Sequence, residues 1–375
     1  MPRKRARQKV LITGGAGFIG SHLADELLAN GYAVRVLDNL CPQVHGVREE
    51  APAYLSPDVE FIRGDVRDGA AVRRSLRGVD AVFHLAAAVG VGQSMYEIAE
   101  YTSVNNLGTA VLLQELAKTP VEALVAASSM SIYGEGLYRD GKGNGISAER
   151  SLEQLRGGRW ELSGPDGETL VPVSTPEDKL PQLSSVYALS KFDQERMCLM
   201  TGRAYGIRTV ALRFFNVYGT RQSLSNPYTG VLAIFASRLL NGNRPLIFED
   251  GNQQRDFVSV HDIARACRLA LEKNETDGVF NIGSGKAVCI RQIAEKMAAV
   301  LGRSECKAEI TGRYRVGDIR HCFGDISRAR EILGYEPQVD LDEGIEELAE
   351  WLKNQEAEDR VEEACAELSA RGLTV

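Results

Sequence analysis

A glycine-rich segment between a predicted strand and a predicted helix constrains this chain most. Lys9–Thr13 (KVLIT) is an apolar, β-branched run typical of a buried strand, and residues 20–30 have the pattern of a helix. Between them, the segment TGGAGFIG places Gly14, Gly17 and Gly20 at intervals of three residues. In this context the glycines permit a tight turn, a close approach of the backbone to a pyrophosphate, and packing of the helix on the strand.

Buried strands and helices alternate along the first half of the chain. Further strands are predicted at 33–37, 59–62, 81–85 and 123–127, and a long helical stretch is predicted at 98–118. Strands without polar alternation that are separated by helices indicate a parallel sheet covered on both faces. The expected fold class is therefore α/β, a Rossmann-type doubly wound parallel sheet with a smaller mixed α/β C-terminal substrate domain.

The sequence suggests the following domain organisation. A basic tail at 1–8 precedes an NAD-binding Rossmann domain at 9–215, which carries a glycine-rich insertion at about 135–182. A substrate-binding domain follows at 216–350, with segments that return to the Rossmann domain, and a helical tail covers 351–375. Structureless loops as long as the insertion are uncommon in compact domains. The insertion is therefore either a surface excursion or a lid or partner-contact element near the site.

Composition excludes several classes of protein. The 375 residues include 44% hydrophobic and 25% charged residues, which is ordinary for a globular protein. A net charge of −7 argues against a nucleic-acid partner. The longest apolar stretch is interrupted by His84 and is far shorter than the ~20 residues of a membrane span, so no membrane partner is expected. The seven scattered cysteines indicate reduced thiols in a cytoplasm, and the isolated histidines indicate no metal site.

An acidic residue at the end of the second strand indicates which dinucleotide binds. Asp38 lies 18 residues after Gly20, where a carboxylate would accept hydrogen bonds from the adenosine ribose hydroxyls. Its charge would repel a 2′-phosphate, and no arginine directly follows it. NAD is therefore favoured over NADP, with a generic nucleotide or flavin site as the alternative.

A tyrosine and a lysine four residues apart are the candidate catalytic pair. Tyr187 and Lys191 project from one face of a predicted helix. A free tyrosine, with a pKa of about 10, is a poor base at neutral pH, but a neighbouring ammonium and a positive nicotinamide favour its phenolate. Such pairs are common by chance in amphipathic helices. The glycine loop and Ser129, at the end of a serine-rich strand, favour the catalytic interpretation here.

Together these motifs resemble the extended short-chain dehydrogenase/reductase family, in particular its nucleotide-sugar epimerases. TGGAGFIG, HLAA, NNLGT, SSMSIYG, YALSK and RFFNVYG carry the resemblance, which extends from residue 9 to about residue 348. The resemblance implies that the cofactor is NAD. The cofactor contacts that it implies are Gly14, Gly17, Phe18, Ile19, Gly20, Asp38, Asn39, Asp65, Val66, Leu85, Ala86, Ala87, Asn105, Tyr187, Lys191 and Phe215.

The resemblance also implies 4-epimerisation, with Ser129, Tyr187 and Lys191 as catalytic residues. Tyr187 would take the proton of a sugar hydroxyl while hydride leaves for NAD, and the ketone would turn over before hydride returns. Related dehydratases and decarboxylases carry carboxylates where this chain has Met130 and Ser131, which favours epimerisation. A net oxidoreductase and a non-catalytic NAD sensor on the same fold are the alternatives.

The implied partners are a nucleotide-diphosphate sugar and a second copy of the chain in a cytoplasmic homodimer. The run NPYTGVLAIF is most similar to that of dTDP-L-rhamnose 4-epimerases, although UDP-sugar 4-epimerases share most of the motifs. Arginine is well suited to a diphosphate because its guanidinium binds phosphate oxygens in pairs. The implied substrate contacts are Ser129, Ser131, Asn216, Phe248, Arg255, Arg315 and Asp318.

Overall fold

The computed structural model describes residues 8–374, so the predicted basic tail lies outside the described residues except for Gln8. Its central sheet has seven strands, all parallel to their neighbours. The strands are β1 (Lys9–Thr13), β2 (Ala33–Asp38), β3 (Glu60–Arg63), β4 (Ala81–His84), β5 (Ala123–Ser129), β6 (Arg208–Phe214) and β7 (Gly278–Ile282). Their spatial order is β7-β6-β5-β4-β1-β2-β3, which confirms the predicted Rossmann-type doubly wound sheet.

Helices cover both faces of this sheet. The longer helices are α1 (Phe18–Ala29), α2 (Gly69–Ser75), α3 (Gly108–Lys118), α4 (Val186–Tyr205), α5 (Val231–Leu240), α6 (Val260–Glu272), α7 (Ile290–Val300), α8 (Leu341–Leu352) and α9 (Val361–Ala370). The shorter ones are Pro42–His45, Val91–Ser94, Ile98–Tyr101, Leu152–Arg156, the 3₁₀-helix Met130–Tyr133, and the π-helices Thr102–Leu107 and Ala329–Leu333. No helix within residues 8–374 has the length and apolar character needed to cross a membrane.

Alternate side chains of each central strand pack into two separate cores. Val10 and Ile12 of β1 contribute to the core that also contains residues of α1 and α6. Leu11, between them, contributes to the opposite core with residues of α2, α3 and α4. This alternation explains why the strands read as continuous apolar runs, since both faces of a parallel sheet are buried.

The second half of the chain forms a smaller mixed assembly. Residues of α5, α7 and α8 share a hydrophobic core that includes Phe235, Ile293 and Leu348. Short strands accompany these helices: Asn216–Tyr218 pairs with Phe257–Ser259, Leu246–Ile247 with Glu309–Ile310, and Gln254–Arg255 with both Val288–Cys289 and His321–Cys322. In contrast, α6 packs on α1, and β7 completes the central sheet beside β6. The C-terminal part of the chain forms the two helices α8 and α9, and the predicted helical tail at 351–375 contains α9 and the end of α8.

The glycine-rich insertion is folded, which the sequence pattern did not indicate. Its strands Leu137–Arg139, Gly145–Ile146 and Val171–Val173 form an antiparallel sheet. Tyr138, Leu162 and Leu170 are at most 1% exposed and make a small hydrophobic cluster of its own. The insertion is therefore a folded element with a small hydrophobic cluster of its own.

Buried ion pairs connect the insertion to the second half of the chain. The side chain of Arg320 is fully buried, and it donates to Glu249 (2.9 Å), Asp250 (2.6 Å) and Glu161 of the insertion. Arg150 of the insertion donates to the other oxygen of Glu249 at 2.7 Å. Removal of one partner from such a cluster leaves an uncompensated charge in a poorly solvated place, so the cluster fixes the insertion in position.

We expect Arg320→Ala to lower the free energy of unfolding by about 3 kcal/mol. Glu249 is buried and would keep only Arg150 as a counter-charge, while the half-buried Asp250 and Glu161 would lose this partner. Urea denaturation would measure the change. Arg330→Ala is the matched control, since Arg330 forms an exposed ion pair with Glu336 and should contribute only about 0–1 kcal/mol. Similar losses in both variants would contradict the stabilising role of the buried cluster.

Candidate active site

The glycine loop is packed against the segment that follows β4. Gly14 has a φ of +70°, and a Cβ on it would lie 2.9 Å from the backbone of Ala86. A Cβ on Gly20 would lie 2.4 Å from the carbonyl oxygen of Gly14. Any larger residue at these two positions would therefore push the turn away from its neighbours, so both positions require glycine.

The loop ends at the N-terminus of α1. Gly17 is the N-cap, no side chain caps the helix, and Phe18 and Ile19 are its first two residues. The first amides of a helix have no acceptors within it, and the helix dipole favours negative charge at this end. The loop and the helix end therefore fit the pyrophosphate of a dinucleotide.

The predicted ribose-binding carboxylate lies beside the loop. Asp38, only 7% exposed at the end of β2, accepts hydrogen bonds from the amides of Ala16 (3.0 Å) and Leu40 (2.9 Å). The neighbouring Asn39 is exposed, and its amide donates to Asp65 at 3.0 Å. Asp38 is thus fixed by the glycine loop, which places a negative charge where a 2′-phosphate would be repelled.

Asp65 and Val66 follow β3 at the same edge of the sheet. Arg67 donates to both oxygens of Asp65, at 2.9 and 2.8 Å, and these hydrogen bonds are the main cause that lowers the pKa of Asp65 to about 2. Val66 is buried, and its side chain packs on Gly108 at the start of α3. A charged and an apolar surface therefore adjoin here, which suits the two parts of an adenosine group.

Asn105 connects the segment after β4 to α4. It lies in the π-helix Thr102–Leu107 and is fully buried. Its side chain accepts from the amide of Ala88 (2.7 Å) and donates to the carbonyl of Ala88 (3.1 Å) and to Ser190 Oγ (2.9 Å). The predicted contacts 85–87 are half-buried beside it. Single π turns are frequent at functional sites, and this one holds one wall of the predicted cofactor site.

Tyr187 lies in the first turn of α4 and is 9% exposed. Its amide donates to Ser94 Oγ at 3.0 Å, and its ring packs edge-on against Tyr101 with centroids 6.5 Å apart. Burial raises the pKa of the Tyr187 phenol, while hydrogen bonding by the Ser129 hydroxyl acts in the opposite direction. The structure thus brings Ser129 and Tyr187 together, although they lie far apart in the sequence.

Lys191 lies one turn further along α4 and is 4% exposed. Its Nζ donates to the carbonyl of Ala127 and to Gln194 Oε1, both at 2.7 Å. Burial lowers the pKa of Lys191 to about 8, so the ammonium form still predominates at neutral pH. The positive charge therefore lies on the same helix face as the Tyr187 phenol, as the spacing of the pair predicts.

Two serine hydroxyls occupy the end of β5. Ser129 Oγ lies 2.8 Å from Ser131 Oγ and accepts from the amide of Ser131 at 3.1 Å, which caps the 3₁₀-helix Met130–Tyr133. Both serines are less than 9% exposed. Neither Met130 nor Ser131 offers an ionisable group beside the phenol of Tyr187.

Asn216 provides a sign of a missing binding partner on the substrate side. Its Oδ1 is buried and has no hydrogen-bond partner within the protein. Buried polar atoms are almost always satisfied, so an unpaired acceptor at this place suggests that a ligand donates to it. The preceding Phe215, 4% exposed, packs in a stacked arrangement on Tyr133 with centroids 6.4 Å apart.

Phe248 and Arg315, two of the predicted substrate contacts, contact each other. The guanidinium of Arg315 lies 4.5 Å from the centroid of the half-buried Phe248 ring, and it donates to Asp318 at 2.9 Å. Burial acts to raise the pKa of Asp318, but the charges of Arg315 and Arg255 lower it.

Arg255 lies close to Arg315 and binds the backbone around it. It is 8% exposed, and its guanidinium donates to the backbone carbonyls of Gln254 (2.9 Å), Arg320 (2.9 Å) and Ile319. Its remaining close partner is Asp318 at 3.5 Å. These contacts hold the chain near Arg315, so the structure assigns Arg255 a supporting position, and its diphosphate contact stays a prediction.

Sequence reasoning missed several buried polar residues beneath the site. Gln194 contacts Lys191, and Thr109 contacts both Gln194 and His84, with separations of 2.7–2.8 Å. Glu195 binds Arg213 through two hydrogen bonds of 2.9 and 2.7 Å. The three-residue spacing from Lys191 to Gln194 on one helix was the available signal, since residues at that spacing are neighbours.

Comparisons with known proteins agree with this geometry. The sequence model of the NAD dependent epimerase/dehydratase family matches residues 10–153 and 161–283 of this chain. A dTDP-L-rhamnose 4-epimerase from Burkholderia thailandensis is 37% identical over 352 residues, which cover 92% of this chain and 95% of that protein.

Two solved structures are also similar. The UDP-glucose 4-epimerase of Thermotoga maritima with UDP-glucose has a TM-score of 0.75 and 31% identity, with 92% of this chain and 99% of that chain covered. The UDP-glucose 4-epimerase of Thermus thermophilus in complex with NAD has a TM-score of 0.73 and 31% identity, with coverage of 93% and 100%.

The fold, the glycine loop and the Tyr187–Lys191 pair define an NAD-dependent enzyme of the short-chain dehydrogenase/reductase type. The chain belongs to the NAD dependent epimerase/dehydratase family. The predicted family, the predicted cofactor NAD and the predicted enzyme class, an epimerase and hence an isomerase, are confirmed.

The buried His84 should make the protein sensitive to acid. Burial, followed by the charge of Lys191, lowers the pKa of His84 to about 3, whereas an unfolded histidine has a pKa of about 6.5. Between these values the unfolded chain binds a proton that the native protein does not, so stability falls as the pH falls.

We therefore expect the difference in unfolding free energy between the wild type and His84→Gln to shrink from pH 7 to pH 4. Urea denaturation at several pH values would measure it, and the range from pH 7 to pH 8 serves as the internal reference, where this difference should be constant. A difference that is independent of pH throughout would contradict the neutral, buried state of His84.

Proposed function

We propose that the protein is an NAD-dependent nucleotide-sugar 4-epimerase that interconverts dTDP-L-rhamnose and dTDP-6-deoxy-L-talose. The observation that carries the reaction is the convergence of Ser129, Tyr187 and Lys191 beside the glycine loop. The similarity to the Burkholderia thailandensis enzyme supports the choice of sugar and nucleotide. The predicted substrate-binding domain, residues 216–350, would supply the substrate side of the site.

In this reaction the side chains of the protein would transfer the proton of the C4 hydroxyl and hold that hydroxyl in place. NAD, when bound, accepts a hydride from the sugar carbon and returns it. Tyr187 Oη takes the proton of the C4 hydroxyl and later gives it back, while the hydroxyl of Ser129 donates a hydrogen bond to the same oxygen. The ammonium of Lys191 favours the phenolate of Tyr187 through its positive charge.

The electrostatics of the site agree with this assignment of roles. Burial raises the pKa of the Tyr187 phenol, so the free protein keeps its proton. The positive nicotinamide of NAD, when bound, would lower that pKa. The base is therefore expected to become active when the site is filled, which limits side reactions with water.

The residues at positions 130 and 131 favour epimerisation over dehydration. The positions at which related dehydratases carry acids hold Met130 and Ser131. Two acids on neighbouring elements form ion pairs: Glu135 with Arg150 at 3.0 Å, and Glu195 with Arg213. A site built this way supports oxidation and reduction at one carbon without an additional acid and base at C5 and C6.

A UDP-sugar 4-epimerase is the second candidate. The likeness to the Thermotoga maritima structure, which contains UDP-glucose, favours it. A net NAD-dependent nucleotide-sugar oxidoreductase would use the same phenol but would release the keto sugar. The UDP-sugar 4-epimerase differs from the first proposal in the nucleotide that it recognises. The net oxidoreductase differs in the fate of the hydride, which would leave with NADH.

We further propose that the protein forms a homodimer through α4 and the helical segment that precedes α3. Leu189 and Met200 of α4 are 46% and 57% exposed, and they lie three turns apart on one face of the helix. Leu107, in the adjacent π-helix, is 53% exposed. Exposed apolar residues on two packed helices are typical of a helical interface between subunits.

We expect Tyr187→Phe to reduce kcat by about 10²–10⁴-fold, because the variant cannot accept the proton of the sugar hydroxyl. NAD should remain bound, since the phenyl ring is retained. Tyr205→Phe is the matched control at the other end of α4, where Tyr205 is 52% exposed, and it should keep full activity. Normal turnover by Tyr187→Phe would remove Tyr187 from its assigned role.

Incubation with dTDP-L-rhamnose, UDP-glucose, UDP-N-acetylglucosamine and GDP-sugars should identify the substrate. We expect conversion of dTDP-L-rhamnose to its C4 epimer, separated by chromatography, without stoichiometric growth of NADH absorbance. Preferential conversion of a UDP-sugar would favour the second candidate. Growth of NADH absorbance in proportion to product would instead identify a net oxidoreductase.

A further inference from the structure

A chain of buried polar side chains lies beneath the site and connects β1 to α4. None of its members is more than 4% exposed. They are Thr13 of β1, His84 of β4, Thr109 of α3, and Gln194 and Lys191 of α4. The chain therefore joins the strand that leads into the glycine loop to the ammonium beside the catalytic phenol.

Thr109 fixes the orientation of the Gln194 amide. The hydroxyl of Thr109 donates to the carbonyl of Asn105 at 2.6 Å, so it acts as an acceptor toward its other partners. Gln194 Nε2 donates to Thr109 Oγ1 at 2.8 Å. The other end of the amide, Oε1, consequently faces Lys191 Nζ at 2.7 Å.

His84 supports the same orientation. Its Nδ1 lies 2.8 Å from Thr13 Oγ1, and its Nε2 lies 2.8 Å from Thr109 Oγ1. The ring is neutral at physiological pH because burial disfavours the imidazolium, so only one of its nitrogens carries a proton. Since Thr109 acts as an acceptor, that proton lies on Nε2, and the hydroxyl of Thr13 donates to Nδ1. Each hydrogen bond from Thr13 to Gln194 then pairs one donor with one acceptor.

We propose that Gln194 is a positioning residue for the reaction, which holds the ammonium of Lys191 one helical turn from Tyr187. The role rests on the proposed function. A lysine ammonium has three N–H donors, and here the carbonyl of Ala127 and Gln194 Oε1 accept two of them. One N–H is left that neither acceptor uses. Thr109 and His84 act one step further away, because they orient the amide of Gln194.

The position of Gln194 beside Lys191 predicts how its replacement changes the pH profile of activity. Without the oxygen of Gln194, the buried ammonium would have one acceptor fewer and would lose its proton at lower pH. A neutral Lys191 no longer favours the phenolate of Tyr187. The loss of activity should therefore be greatest on the alkaline side of the pH profile, which a purely structural role of Gln194 would not produce.

The test compares the pH profiles of kcat for the wild type and Gln194→Leu. We expect kcat of the variant to fall by about tenfold at neutral pH, with KM nearly unchanged. The alkaline limb should move to lower pH by about one unit. Bound NAD and thermal unfolding, measured on the same samples, would show that the variant is folded and loaded.

Gln194→Glu is the matched variant at the same position. It keeps an acceptor oxygen toward Lys191 and adds a negative charge, so its alkaline limb should move to higher pH instead. Thr109→Ser, which keeps the hydroxyl, should leave the profile in place, whereas Thr109→Val should displace it as Gln194→Leu does. Losses of kcat with unmoved limbs in both Gln194 variants would overturn the proposal.

A second measurement separates this proposal from the proposed function. The ammonium of Lys191 can be titrated by NMR of protein labelled in its lysine side chains, with the matching Lys191→Met protein subtracted as background. A lower Lys191 pKa in Gln194→Leu supports the positioning role, and an unchanged pKa overturns it. If the wild type converts none of the nucleotide sugars, the proposed function fails, but this titration still decides the role of Gln194.

Discussion

The site depends on the close contact between the backbone of the glycine loop and the backbone that follows β4. A side chain at Gly14 would meet Ala86 at 2.9 Å, so only glycine permits the two strand ends to meet. This contact brings Thr13 within reach of His84, and hence β1 into the buried polar chain that ends at Lys191. The cofactor cradle and the catalytic lysine are thus parts of one rigid arrangement rather than two independent sites.

Much of this arrangement could be predicted from the sequence because its signals are local. The glycine spacing, the ends of β1 and β2, and the four-residue spacing of Tyr187 and Lys191 depend on the geometry of a turn, a strand or a helix. The same is true of Ser129, because the carboxyl end of a buried parallel strand is where such sites form. Each of these features needs only a few neighbouring residues to be recognised.

The features that the sequence did not reveal depend on partners that are distant along the chain. Arg320 and Glu161 are separated by 159 residues, and Arg150 and Glu249 by 99. No local pattern indicates that these charges meet, so the sequence alone did not show how the insertion is attached. Arg255 shows the same limit: its motif indicates a phosphate ligand, but only the fold shows that it also binds the backbone carbonyls of Ile319 and Arg320.

The ionic attachment of the insertion has a consequence for exchanging loops between related enzymes. Arg150 and Glu161 belong to the insertion, while Glu249, Asp250 and Arg320 belong to the assembly beside it. A chimera that receives the insertion alone would receive Arg150 and Glu161 without their partners. In the protein that loses the insertion, the buried Glu249 and Arg320 would each lose an oppositely charged neighbour. When this region is exchanged between related enzymes, the insertion should therefore be transferred together with Glu249, Asp250 and Arg320.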